Sequence, residues 1–194
     1  MPLGAAKQAL LGAAGVSTSD VVLLATTVAD GDSSIAFTSG IDSTYKEYIF
    51  SFETMHYSVD GQYFYFQAGA SYNTAITSAA FRAQNAEDGS NNFGFCPANI
   101  LGNETGEQML YHELDNDNDS NLCGTLHLFN PSSTTYVKQW FSRMQGNKNE
   151  GTGVASMEVF TAGYLNTTSA LTQVRFKPSS GNFDAGTIKM YGVK

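Results

Sequence analysis

Tyr45-Lys46-Glu47-Tyr48-Ile49-Phe50-Ser51-Phe52-Glu53 is the stretch on which the fold turns. Tyr48, Phe50 and Phe52 share one face at a period of two, and Glu47, Ser51 and Glu53 share the other with Ile49. Alternation built from aromatic and β-branched residues marks a strand with one face on a core. Downstream, Asp60-Gly61 signals a tight turn. Gln62-Tyr63-Phe64-Tyr65-Phe66-Gln67 then resumes the alternation, with Phe64 and Phe66 on one face. The two segments read as a meander hairpin from Tyr45 to Gln67, with aromatic cross-strand pairs contributing roughly 0.2–1 kcal/mol each.

The same signal recurs along the chain. Upstream lie Val21–Thr27 and Ser33–Phe37, the second closed by Gly40-Ile41-Asp42. Downstream lie Met109–His112, Thr125–Phe129, Tyr136–Phe141, Met157–Phe160, Leu171–Phe176 and Thr187–Tyr191. Thr74–Glu87 carries alanines at helical spacing but also Ile76, Thr77 and Phe81, and reads as a strand. Asp88–Asn103, rich in Gly and Asn, reads as a long loop. About ten short strands with turn signals between them predict an all-β fold, an antiparallel jelly-roll-like β-sandwich over residues 21–194. Residues 1–20, small, weakly apolar and punctuated by glycine, read as an N-terminal arm and docking segment, not as a signal peptide.

Composition narrows the function. Charged residues make up 14% of the 194 residues, against roughly a quarter in an average soluble domain. Ser, Thr and Asn supply about a quarter of the chain, a surface that loses little on burial because it carries little charge to desolvate. The net charge is −8, and the sequence has no basic run, which argues against nucleic-acid binding. No apolar run approaches the ~20 residues of a membrane-spanning helix. Cys96 and Cys123 leave a disulfide or two free thiols open.

Few residues suggest chemistry. His56, His112 and His127 belong to no zinc-protease arrangement, and no nucleophile elbow or phosphate loop occurs. His127 lies out of phase with Leu126 and Leu128, so it faces solvent or a second layer. Asp115, Asp117 and Asp119 reproduce the start of a calcium loop, but Ser120 stands where glycine is wanted and Leu126 where a bidentate Glu is wanted. A polar turn is the plainer reading. Glu47, Glu53, Glu113 and Glu158 lie scattered on strands without an evident acid pair. Tyr57, Tyr72, Tyr111, Tyr164 and Trp140, read as exposed, could stack on sugar rings or anchor an interface. No catalytic, cofactor-binding or metal-binding residue is assigned, and the chain is expected not to be an enzyme.

Two stretches carry a family resemblance. Phe37-Thr38-Ser39-Gly40-Ile41-Asp42-Ser43-Thr44-Tyr45-Lys46-Glu47-Tyr48-Ile49-Phe50 resembles the SGIDSTYxEYxF signature of small virion structural proteins from marine tailed bacteriophages. Ser180–Gly192 is similar to their closing GTIxxYG strand. The Asn-Asp run with Gly124-Thr125-Leu126, then Pro131-Ser132-Ser133 and Phe160-Thr161-Ala162-Gly163-Tyr164, follow in matching order, and the Met-Pro-Leu-Gly-Ala-Ala start recurs in such proteins. The resemblance covers roughly residues 20 to 194 and implies a virion location, without assigning a role to any residue. The expectation is a capsid-decorating or appendage protein, homo-oligomeric with a trimer favoured, bound to other virion proteins. The alternative is a receptor-binding head of a tail fibre that recognises a host-surface glycan. Neither reading involves nucleic acid or membrane insertion.

Overall fold

A computed structural model describes residues 20–151 and 153–194. The arm expected at the N-terminus therefore lies, except for Asp20, outside the described residues. What is described is all-β and antiparallel, with thirteen strands.

A large layer runs from β1 (Val21–Val28) through β13 (Phe183–Val193), β3 (Glu47–Tyr57), β9 (Leu122–Phe129), β10 (Lys138–Asn149) and β11 (Val154–Leu165) to β5 (Ile76–Ala86). Along the outer side of β5 lie β6 (Asn91–Phe95) and β7 (Gly102–Glu104). A smaller layer is ordered β8 (Gln108–Leu114), β4 (Gln62–Ala68), β12 (Val174–Pro178) and β2 (Ile35–Phe37). The layers join where Lys148 of β10 pairs with Leu114 of β8. The result is a sandwich that is nearly closed into a barrel.

The period-two faces are as expected. Tyr48, Phe50 and Phe52 are fully buried, as are Phe64 and Phe66. The hairpin is not. β3 pairs with β13 and β9, whereas β4 pairs with β8 and β12. The Asp60-Gly61 turn carries the chain between layers: Gly61, with φ 67°, donates its N–H to the carbonyl of Leu114. Ser58 stays tied to Asn182 at the start of β13. Alternation specifies which face of a strand is buried but not its neighbour. Placing Phe52 opposite Phe64, and Phe50 against Phe176, lets both apolar faces bury each other across the core.

Phe176 sits at the centre of this contact. Its ring lies 4.9–6.3 Å from those of Phe37, Phe50, Phe52, Phe64 and Phe66. Three of the five contacts are edge-to-face, and Phe64 and Phe66 stack on it more nearly parallel. Trp140 on β10 extends the cluster through Phe66.

Two other expectations change. Thr74–Glu87 is a strand as read, but Asp88–Asn103 is not a bare loop: it holds β6, a 3-10 turn at Pro97–Asn99 and the first residues of β7. The alternation of β3 also slips at Thr54, whose φ of 48° makes a bulge, so that Phe52 and Met55 both point inward. Opposite the bulge, Gly186 has φ 122°, and a Cβ there would come within 2.7 Å of Met55 Cα. Only glycine fits.

Replacing Phe176 by Ala should cost about 3–5 kcal/mol in urea unfolding. Tyr136→Ala, at an exposed loop position, should change stability by less than about 0.5 kcal/mol. Equal effects would place the energetic centre elsewhere.

Candidate interaction face

The residues singled out for chemistry are engaged with one another. Asp115 Oδ2 accepts hydrogen bonds from Ser120 Oγ at 2.5 Å and from the Asp117 N–H at 3.2 Å, and Oδ1 accepts from Asn149 Nδ2 at 3.4 Å. This is the polar turn. Asp117 and Asp119 do not join it around a common point, and among the described residues no group of three or more His, Cys, Asp or Glu is placed to hold a metal. Cys96 and Cys123 are free thiols, the first buried and the second half-buried.

Each of the four strand acids pairs with a base: Glu47 with His127 (2.6 Å), Glu53 with Lys189 (2.7 Å), Glu113 with Lys148 (3.0 Å), and Glu158 with Arg143. Lys148 also reaches Glu150 at 2.7 Å. Buried His112 has both nitrogens occupied. Arg82 Nη1 donates to Nε2 at 2.8 Å, and Nδ1 lies 3.3 Å from Glu113 Oε2. Burial lowers its pKa, and the Arg82 guanidinium lowers it further. His56 is the reverse case. Burial works against its proton, but the Asp184 carboxylate at 2.7 Å and the carbonyls of Asp117 and Asn116 outweigh it, so its pKa is raised.

The aromatic residues change places. Tyr57, Tyr111 and Trp140, expected outside, are core residues, while Tyr72 and Tyr164 are half-buried. The exposed large apolar side chains include Phe93 (77%), Phe95 (63%), Phe81 (44%) and Phe141 (41%). All four lie on the outer face of the large layer, from β10 to β6. Cross-strand register brings them together: Phe160 on β11 faces Phe81 on β5, which faces Phe95 on β6.

Phe81 stacks on Phe160 with centroids 4.8 Å apart and planes at 10°. Phe93 lies 6.1 Å from Phe81. On the other side, Phe141 stacks on His127 at 4.4 Å and 11°. His127 is thus on the outer face, as its phase indicated. Between these two ring groups runs a groove of about 300 Å³. Its walls are Phe141 opposite Phe160, Phe81 and Phe95, and its floor is Ala162 and Ala79. The small floor residues create the depression, and the rings make it apolar. Arg143 lies 5.3 Å over the Phe160 ring and is already paired with Glu158.

Sequence reasoning passed over this face. The available signal was Phe93 and Phe95 two apart, in phase with each other, but the surrounding Asn and Gly suggested a loop.

No family model and no curated protein matches this chain. A solved structure, that of infectious bursal disease virus Gx strain, aligns over 89% of this chain and 39% of its own, at 11% identity and a TM-score of 0.16. The chain thus spans well under half of that protein's length, and a likeness this low carries no argument.

Two measurements probe the polar sites. The unfolded chain binds a proton at His112 near the ordinary value of about 6.5, more tightly than the folded one. Stability should therefore fall as pH drops below about 6.5 toward the lowered folded value, and His112→Gln should flatten that slope. His56 acts oppositely: its contribution is full below about 6.5 and is lost as pH rises through the raised folded value. His56→Gln should flatten that second slope; urea titrations across the range separate the two. Because the Asp115 oxygens are already satisfied by Ser120, Asp117 and Asn149, EDTA should leave the melting temperature unchanged. A drop on chelation would show bound calcium.

Proposed function

We propose that the chain is a non-enzymatic structural component of a bacteriophage virion, a capsid-decorating or appendage module that assembles through its outer aromatic face. The observation that carries this reading is the groove between Phe141 and the Phe160–Phe81–Phe95 group. Contiguous exposed aromatic surface marks a place where something docks. A well-packed aromatic pocket ringed by neutral-polar groups is the usual form of an interface hot spot. The sequence resemblance to phage virion proteins supplies the setting, and the low charge suits faces that become buried in an assembly.

The same observation weighs against the glycan-recognising head. A sugar site pairs an aromatic platform with several hydrogen-bonding groups directed at hydroxyls. This groove is walled by phenylalanines and floored by alanines, and Tyr57, Tyr111 and Trp140 are in the core.

The test is to image intact particles and trace the chain. The expected outcome is density for this sandwich on the capsid or an appendage, with the aromatic face against a neighbour. Phe95→Ser, soluble and folded by circular dichroism, should be incorporated at a clearly reduced level. Purified particles without the chain would overturn the proposal.

A further inference from the structure

Resting on that reading, we infer that the β6 edge of the aromatic face joins a second copy of this chain, by antiparallel pairing of β6 with β6 across a two-fold axis. β6 pairs with β5 and, among the described residues, ends the large layer on that side. Its sequence is Asn-Asn-Phe-Gly-Phe, with no charge, no proline and two exposed phenylalanines on one face. Natural edge strands are normally protected by a charge, a proline or a bulge. β6 has none of these over its five residues, and so presents a template for strand addition.

Symmetry suits the segment. Pairing centred on Phe93 sets Phe93 opposite its own copy, Asn91 opposite position 95 and Asn92 opposite position 94. Gly94 leaves open space there, since a Cβ would meet only Asn92 Oδ1 at 3.8 Å. Phe93 and Phe95 of both copies then form one apolar cluster continuous with the two Phe81–Phe160 stacks. The acids of the preceding turn, Glu87 and Asp88, fall opposite positions 99 and 98, so they do not oppose each other. In a chain of net charge −8, self-association is least opposed where charges are absent or paired. On this face Arg143 and Glu158 neutralise each other.

The rings of β6 supply a share of the area such a contact needs. An aromatic side chain buries about 150–250 Å². At their observed exposures, Phe93 and Phe95, the two rings on β6 itself, therefore offer on the order of 300 Å². That is about a third of the ~800 Å² per partner in a stable interface, before the strand backbones and the Asn side chains are counted. Such a contact is isologous and closes at two copies, so it predicts a dimer where the sequence alone favoured a trimer.

Sedimentation of the full chain at about 100 μM, well above the Kd of an ordinary specific interface, should give a mass of two copies. Phe93→Glu should raise the dissociation constant at least about 30-fold, and the milder Phe93→Ser should act in the same direction. Val28→Glu, on the exposed part of β1 at the opposite edge, should leave the dimer intact. Circular dichroism and cooperative melting verify that each variant folds. A monomer, a trimer, or an oligomer indifferent to both Phe93 substitutions would overturn the inference. A monomer that is still found in particles would overturn it while leaving the virion reading standing. A Phe93-dependent dimer absent from particles would support the pairing and remove the virion reading.

Discussion

The sandwich depends on the Phe176 ring and the five rings around it. β12 is a short strand between β4 and β2, yet its central phenylalanine touches both layers, through Phe64 and Phe66 on one and Phe50 and Phe52 on the other. Aromatic packing of this density sets the distance between the sheets and leaves no room for an alternative register. The bulge at Thr54 and Gly186 follows from it. With Phe50 and Phe52 held against Phe176, the chain must slip by one residue for Met55 and Tyr57 to stay inside.

A two-layer architecture buries one face of each sheet, and here the large layer extends past the small one. Its β10–β11–β5–β6 part carries rings on the side turned away from the small layer. Elsewhere two buried titratable groups are held by specific partners. Buried Lys138 donates to the carbonyls of Ser133, Tyr136 and Thr167 at 2.7–3.0 Å, although burial lowers its pKa. His112 is held between Arg82 and Glu113. A buried charge without such partners would cost several kcal/mol. The outer rings have no comparable compensation within one chain, and a second surface is the natural way to remove them from water.

The candidate chemistry resolves in the opposite direction. Acids that looked scattered in sequence are paired across strands, Glu53 with Lys189, Glu113 with Lys148, Glu158 with Arg143 and Glu47 with the His127 ring. Pairs of this kind exposed at a surface contribute little stability individually. They do shape the charge pattern of the outer face, where Arg143 beside the Phe160 ring is already paired with Glu158.

How much could be read in advance follows from the range of each interaction. Side-chain alternation is local, so the strand character of Tyr48–Phe52 and Phe64–Phe66, and their buried faces, were legible from the residues alone. The Asp115 turn was legible for the same reason, since Asp, Asn and Ser bond within a few residues of themselves. Strand pairing is not local. Asp60-Gly61 announces a turn, but whether that turn closes a hairpin or crosses between layers depends on Leu114 and Asn182, far away in sequence. Exposure is not local either. Tyr57, Tyr111 and Trp140 could not be told apart from Phe81, Phe93 and Phe95 by type or spacing. Only the layer order decides which rings find a second sheet above them. The residues specify an all-β chain with aromatic faces; the fold decides which of those faces is left uncovered, because that depends on which side of each strand is turned toward the smaller layer.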